Sequence, residues 1–513
     1  MNSTFKFGAD RMTFEIAVEM SKGKVKGILC DEAIERIEQS RLHVDEIVAS
    51  ESVVYGINTG FGPLVDTRIS KSETARLQHN ILMSHAVGVG NLISPQLSKI
   101  MLILKAHALS LGFSGVRLQT VRRIIWMIDS EIIPCVPEKG SVGASGDLAP
   151  LSHLFLPLIG MGEVHCNGEI RKTQEVLEEM GVQPLTLGPK EGLALINGTQ
   201  FIAAHAVWAL HRMRNILDIA DIAGALSLEG LMGSAKPFDS RLHDIRPFSG
   251  NKMVASRLCA LLENSEIRHA HADCGRIQDP YSLRCMPQVH GASRNAWLHL
   301  EELVEIEVNS VTDNPVILGS RDTISGGNFH GQPLAIPLDY ATVAAAEIGN
   351  ISERRSYLII EGRFGLPKLL IENAGLNSGF MIPQYSAAAL VTENKTLCFP
   401  ASADSIPTSL GQEDHVSMGS ISGRKLHQVL NNVEYILAIE LLYAAQAVDF
   451  RRPLQSTPIM EKVHAMIRES VSFATEDRIF SEDINRLHRL ISDEILINAV
   501  RDHAKVNNIE VLQ

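Results

Sequence analysis

The sequence predicts a mainly α fold: an elongated bundle of long helices with a smaller mixed N-terminal part that carries a glycine-rich loop. Three observations predict it. Apolar residues recur at helical spacing over long runs between residues 201 and 450, strand and turn character is confined to residues 1–200, and no short repeat, low-complexity tract or Pro/Ser-rich linker interrupts the chain. The division that follows is residues 1–200 for the N-terminal part, 201–450 for the central bundle and 451–513 for C-terminal helices, all one continuous subunit.

At 513 residues the chain can build several cores or one long helical unit. Its composition, 45% apolar and 21% charged, is that of an ordinary water-soluble protein. A net charge of −12 without a basic run excludes a phosphate-backbone partner, so no nucleic acid is expected. The seven cysteines are scattered, odd in number and free of Cys-x-x-Cys spacing, which fits free thiols in a reducing compartment. The first residues lack an apolar core of signal-peptide length, and no apolar run is long enough to span a bilayer; the expected location is cytoplasmic, with no membrane partner.

Taken in order, residues 31–37 read as an amphipathic surface helix. The run Val53-Val54-Tyr55-Gly56-Ile57-Asn58-Thr59-Gly60-Phe61-Gly62-Pro63 reads as a short strand breaking into a glycine loop. Helical periodicity follows over residues 77–85, ending in Ser84-His85-Ala86-Val87-Gly88, and again over 97–111. A histidine at that helix end would ordinarily be a solvated residue favoured by the helix dipole. A helix over 151–159 stops at Gly160, and strand and turn character runs to about Gly188. Glu191 to Gln200 then leads into a long helix over 201–231; Asn197, near its start, has the position of a cap. Trp297, Leu300, Leu303, Val304 and Val308 mark another helix, followed by Asp313-Asn314-Pro315, and residues 338–360 a further one. Residues 430–448 are apolar all round except for Glu434 and Glu440, the pattern of a helix buried in a bundle or between subunits.

The remaining stretch is Gly140-Ser141-Val142-Gly143-Ala144-Ser145-Gly146-Asp147-Leu148-Ala149-Pro150. Pro134 and Pro137 lead into it, its glycines free the backbone, and Asp147 with Pro150 opens a helix. Within it, attack of the Gly146 nitrogen on the Ala144 carbonyl carbon, with loss of water, closes a five-membered ring. Loss of the Ser145 hydroxyl as a second water leaves an exocyclic methylene, an electrophile that no ordinary side chain supplies.

Gly-Ser-Val-Gly-Ala-Ser-Gly-Asp-Leu-Ala-Pro-Leu-Ser-His resembles the signature of the aromatic amino-acid ammonia-lyases, in which Ala-Ser-Gly becomes 4-methylidene-imidazole-5-one (MIO). Tyr-Gly-Ile-Asn-Thr-Gly-Phe-Gly resembles their second signature. Three polar loops match the family in order: 278–285 with Gln278, Tyr281 and Arg284, 325–331 with Phe329, and 411–419 with Glu413. The match runs from about residue 55 to about 449.

The resemblance implies an MIO formed from Ala144, Ser145 and Gly146, with no external cofactor and no metal. No nucleotide or metal motif appears elsewhere. Deamination needs a better leaving group than an amine and a base for a weakly acidic β-proton. The electrophile serves the first need, whether by taking the amine or by taking the ring, which the sequence leaves open. Tyr55 is assigned as the base and Tyr281 as the residue moving a proton near the MIO; a phenol titrating near pH 10 must be depressed to act at neutrality. The resemblance also places Arg284 on the substrate carboxylate as a bidentate clamp, Phe329 on the pocket wall, and Asn197 with Gln278 on the ring carbonyl or the substrate. His85 and Glu413 are polar groups able to pair the nitrogens of an imidazole, and both match histidine-specific members of the family. The implied activity is conversion of L-histidine to trans-urocanate and ammonia, the opening step of histidine breakdown, by a homotetramer with shared active sites. A tyrosine or phenylalanine lyase, an aminomutase, or a non-catalytic relative stands as the alternative.

Overall fold

Four helices dominate the chain: Gln200–Gly230, Met286–Glu307, Gln332–Ile360 and Gly419–Asp449. Each coincides with one of the long periodic runs, so the mainly α class expected from the sequence is the one observed. The computed structural model describes residues 3–50, 54–57, 59, 62, 69–70, 73–271, 275–319 and 322–512. Val53, Asn58, Gly60, Phe61 and Pro63 of the first glycine loop, and Cys274, lie outside the described residues.

The chain forms two units. The first comprises Met1–His211, Leu300–Asp339 and Pro400–Arg424; the second comprises Arg212–His299, Tyr340–Phe399 and Lys425–Gln513.

Every described strand belongs to the first unit. Ser3–Phe7 pairs in parallel with Val25–Leu29. Val89–Leu92 pairs antiparallel with Pro137–Lys139, the strand that feeds the glycine-rich loop. Ile133–Pro134, Glu163–Cys166 and Glu169–Lys172 form a three-stranded antiparallel sheet, and Val316–Gly319 with Asp322–Ile324 forms a hairpin. At the centre of this unit lies the helix Pro95–Ser110, started by Pro95 and by the Ser94 hydroxyl on the Leu97 N–H, and buried from Leu97 to its end. Lys99, Lys105 and His107 are buried with its apolar residues.

The second unit is helical. Within Gly419–Asp449 every residue from 436 to 448 is buried, as the sequence requires of a buried helix, and the two acidic residues of its near-apolar stretch, Glu434 and Glu440, are both paired. Glu434 meets Arg212 at 2.8 Å. Glu440 takes Arg355 in a fork, Nε to Oε1 at 2.5 Å and Nη2 to Oε2 at 2.8 Å, and also accepts from the hydroxyls of Ser227 and Ser352. A second buried network joins Asp218 and Asp221 to Arg257, Arg294, Arg501 and His290.

Local departures from the expected elements have simple causes. Tyr55 to Ile57 form a turn instead of a strand, the Ile57 N–H reaching the Val54 carbonyl. In the stretch expected to be strand and turn, Thr173–Glu179 is a helix; it buries only Val176 and Leu177 among its apolar residues, too few for periodicity to reveal. The described cysteines, Cys30, Cys135, Cys166, Cys259, Cys285 and Cys398, are free thiols. Among the described residues no helix is long and apolar enough to cross a membrane.

Candidate active site

The glycine-rich loop joins the strand Pro137–Lys139 to the helix Leu148–Phe155 and is laced to two other segments of the first unit. Gly146 bridges Gly198: the Asp147 N–H donates to the Gly198 carbonyl at 2.8 Å, and the Gly198 N–H reaches the Ser145 carbonyl at 3.4 Å. On the other side the Met418 N–H donates to the Val142 carbonyl at 2.9 Å and the Ser420 hydroxyl to the Ser141 carbonyl at 2.6 Å. Ser145 itself is held at φ 51°, unusual for a residue with a side chain. Gly146, at φ 80°, lies so close to Gly198 that a Cβ would overlap its carbonyl oxygen, and a Cβ on Gly143 would overlap the Ser417 hydroxyl. Both positions therefore need glycine for space as well as for dihedral angle.

Asp147 occupies the cap position of its own helix without capping it. Its carboxylate instead accepts from the N–H groups of Phe201, at 3.1 Å, and Ile202, at 3.0 Å, at the start of Gln200–Gly230, and from the Ser141 hydroxyl. Complete burial pushes its carboxyl up to about 7, against the pull of those donors, with the charge of Glu307 adding to the rise.

Glu413 reaches the loop from the far side. Its Oε1 accepts from the Ser145 hydroxyl at 2.8 Å, while Oε2 accepts from Thr408 and Ser409, each at 2.8 Å. Its charge is felt by two further residues. Burial raises the Tyr55 phenol above its usual value, the Gly62 N–H on its oxygen at 3.3 Å pulls it down, and Glu413 raises it again. Burial lowers His85, against the Ile81 carbonyl and Glu413, so its imidazole is neutral at pH 7; its Nδ1 lies 3.0 Å from the Ser84 hydroxyl. The site thus holds the Tyr55 phenol protonated, opposite in direction to the depression that a base at neutral pH needs.

A sequence profile of aromatic amino acid lyases matches residues 12–469. The chain belongs to that family. It is 50% identical over 485 residues to histidine ammonia-lyase of Sorangium cellulosum, a match covering 92% of this chain and 94% of that one. The fold agrees with the crystal structure of histidine ammonia-lyase from Trypanosoma cruzi at a TM-score of 0.88 and 41% identity, covering 98% of this chain and 95% of the other. It also agrees with tyrosine aminomutase from Streptomyces globisporus at a TM-score of 0.92 and 34% identity, covering 98% and 99%.

Of the site residues expected in this lyase, Tyr55, His85, Ala144, Ser145, Gly146, Asn197, Phe329 and Glu413 fall in the first unit, and Gln278, Tyr281 and Arg284 in the second. Asn197 closes the short helix Glu191–Ile196 and does not cap the following one. Its side-chain oxygen is buried without a hydrogen-bond partner, a polar atom left for a ligand or water to satisfy. Phe329 lies half-buried in the turn ahead of Gln332–Ile360, beside His330, whose Nε2 meets the His415 carbonyl at 3.3 Å. In the second unit, Tyr281 is 71% exposed at the start of the four-residue helix Tyr281–Arg284, and the Arg284 guanidinium lies 4.6 Å from its ring centroid. Gln278 is exposed in the preceding loop, and Arg284 Nε is buried without a partner.

The sequence reading passed over Lys105. Buried to 2% exposure, it donates through Nζ to the Asn197 carbonyl at 2.6 Å and to Gln200 Oε1 at 3.3 Å. A lysine set among the apolar residues 100–106 was the available signal.

Proposed function

We propose that this chain is a histidine ammonia-lyase, eliminating ammonia from L-histidine to give trans-urocanate. The observation that carries the reading is the meeting of Ser145 with Glu413, in a chain half identical to a histidine ammonia-lyase over nearly its whole length.

The loop fits an MIO. Gly146 has no room for a side chain, Ser145 is already in a strained dihedral region, and both neighbouring segments hold the loop by main-chain hydrogen bonds. Once formed from Ala144, Ser145 and Gly146, the ring supplies a methylene carbon able to accept electrons from the substrate. The chain's own residues do the rest. Glu413 and neutral His85 offer an acceptor and a donor–acceptor to an imidazole, replacing the hydrogen bonds it loses on leaving water. Arg284 would pair with the carboxylate, its unpartnered Nε being one available donor. Tyr55 would take the β-proton and Tyr281 would pass a proton near the ring. Because burial keeps the Tyr55 phenol protonated, the substrate's ammonium is the charge that would draw that proton away. Asn197 would hold the ring carbonyl or the substrate together with Gln278, with Phe329 along the wall.

We infer too that the protein works in the cytoplasm as a homotetramer sharing active sites between subunits. Exposed Tyr340, Val343 and Tyr357 on one helix of the second unit are apolar surface of the kind subunit contacts cover. The test is an ultraviolet assay for urocanate from histidine, with intact mass for the loss of two waters. The likeness to a tyrosine aminomutase makes β-tyrosine from tyrosine the competing product, and its appearance without urocanate would overturn the histidine reading.

A further inference from the structure

Lys105 is a buried cation that the reaction described above does not use. It sits on the helix Pro95–Ser110 in the first unit, among other buried charged and polar groups. Lys190 pairs with Asp313 at 2.6 Å, Asp147 is buried nearby, and Gln200 is tied to Thr312 at 3.0 Å. Burial pushes the Lys105 ammonium down to about 7, Asp313 and Asp147 working against the fall and Lys190 with it.

The direction in which Lys105 points gives it a task. Its Nζ donates to the carbonyl of Asn197, at 2.6 Å, and the same peptide group's N–H, that of Gly198, points at the carbonyl oxygen of Ser145. A donor on the oxygen of a peptide withdraws electrons from it and makes its N–H a stronger donor, an effect larger in a dry interior. When Gly146 nitrogen closes on the Ala144 carbonyl carbon, the Ser145 carbonyl is the one that survives in the ring. The second water is then made from the Ser145 Cα proton and the Ser145 hydroxyl. As the proton leaves, its electron pair moves toward the Ser145 carbonyl oxygen; as hydroxide leaves Cβ, the pair becomes the Cα–Cβ double bond, and proton and hydroxide together make one water. Negative charge grows on the Ser145 oxygen in between.

We propose that Lys105 is a positioning residue for the maturation of the site: through the Asn197–Gly198 peptide it strengthens the N–H that stabilises charge on the Ser145 carbonyl during the second dehydration. The proposal rests on the reading that residues 144–146 cyclise. It does not depend on which amino acid the mature site takes.

The test follows the mass of freshly expressed full-length protein over time in Lys105→Met, Lys105→Gln and Lys105→Arg, each checked for folding by circular dichroism. Methionine keeps the length of the side chain and removes the donor; glutamine, uncharged and one atom too short to keep the 2.6 Å contact with the Asn197 carbonyl, keeps a polar group there should the methionine variant not fold. The expected result is a folded Met or Gln chain that accumulates one water short of the mature mass and completes the second loss about tenfold more slowly, with arginine restoring the rate at least in part. A folded Met or Gln variant that loses both waters at the wild-type rate overturns the proposal. So does one in which neither water is lost, since Lys105 would then act on closure or merely on the fold. Wild-type protein that loses two waters yet makes no urocanate would defeat the histidine reading and leave this one standing.

Discussion

The Ser145 hydroxyl donates to Glu413 Oε1 at 2.8 Å, joining residues 268 positions apart. The carboxylate proposed to read the substrate's imidazole therefore touches the residue proposed to become the electrophile. On that proposal recognition and reaction are one contact apart, and Thr408 and Ser409 fix the second oxygen so that the first keeps its aim.

Replacing Glu413 by leucine leaves an imidazole N–H without its acceptor. At about 1–3 kcal/mol for an unpaired buried donor, kcat/KM for histidine should fall by roughly 5- to 150-fold. Urocanate absorbance measures it, and intact mass should still show two waters lost. Undiminished turnover would remove Glu413 from substrate recognition.

Gly146→Ala should stop maturation before it begins. The added methyl would meet the Gly198 carbonyl, and φ 80° is strained for alanine, so the bridge that holds the tripeptide must open. The purified variant should carry its full encoded mass and lack activity. A variant lighter by two waters would mean that this close approach is not needed for cyclisation.

Much of this site is legible in the sequence. The glycine-rich loop, Tyr55, His85 and Glu413 stand in contiguous motifs, and the long helices announce themselves through apolar spacing. What could not be read is what depends on remote partners. Asp147 looks like the cap of its own helix but spends its carboxylate on Phe201 and Ile202 of another. Lys105 looks like one charge among apolar neighbours, and only the fold brings the Asn197 carbonyl to it. The turn at Tyr55 replaces an expected strand because Val54 and Ile57 are too few to hold a ladder against the following glycines.

Activity should rise with pH on the alkaline side. Tyr55 must lose its proton to act as base, and burial raises its phenol above the ordinary 10.0, so the working fraction grows as pH climbs beyond neutrality. On the acid side His85, lowered from 6.5 by burial, stays neutral until the pH falls below that value; only then does it lose its acceptor nitrogen. The profile of kcat/KM should therefore have an acid limb below pH 6.5, missing in His85→Asn, and a rising alkaline limb, missing in the residual activity of Tyr55→Phe. An alkaline limb unchanged in Tyr55→Phe would move the base to another residue.

Glu440 offers a test of the second unit's core. Both Arg355 and Glu440 are completely buried, and Arg355 also extends Nη1 toward the Ser282 carbonyl, at 3.5 Å, inside the helix that carries Tyr281 and Arg284. Leucine at 440 would strand the guanidinium and leave the hydroxyls of Ser227 and Ser352 without their acceptor. Removing one partner of a buried pair costs about 3–5 kcal/mol, because the remaining charge has neither water nor a counter-ion. Chemical denaturation of Glu440→Leu should show a loss of that size. The double variant Glu440→Leu/Arg355→Met, which removes both charges, should recover a substantial part of it. Equal losses in the single and double variants would mean that packing, rather than the stranded charge, sets the cost. Since Arg355 also steadies the turn bearing Arg284, the milder Glu440→Gln should raise KM for histidine more than it lowers kcat, and an unchanged KM would separate the buried pair from the carboxylate clamp.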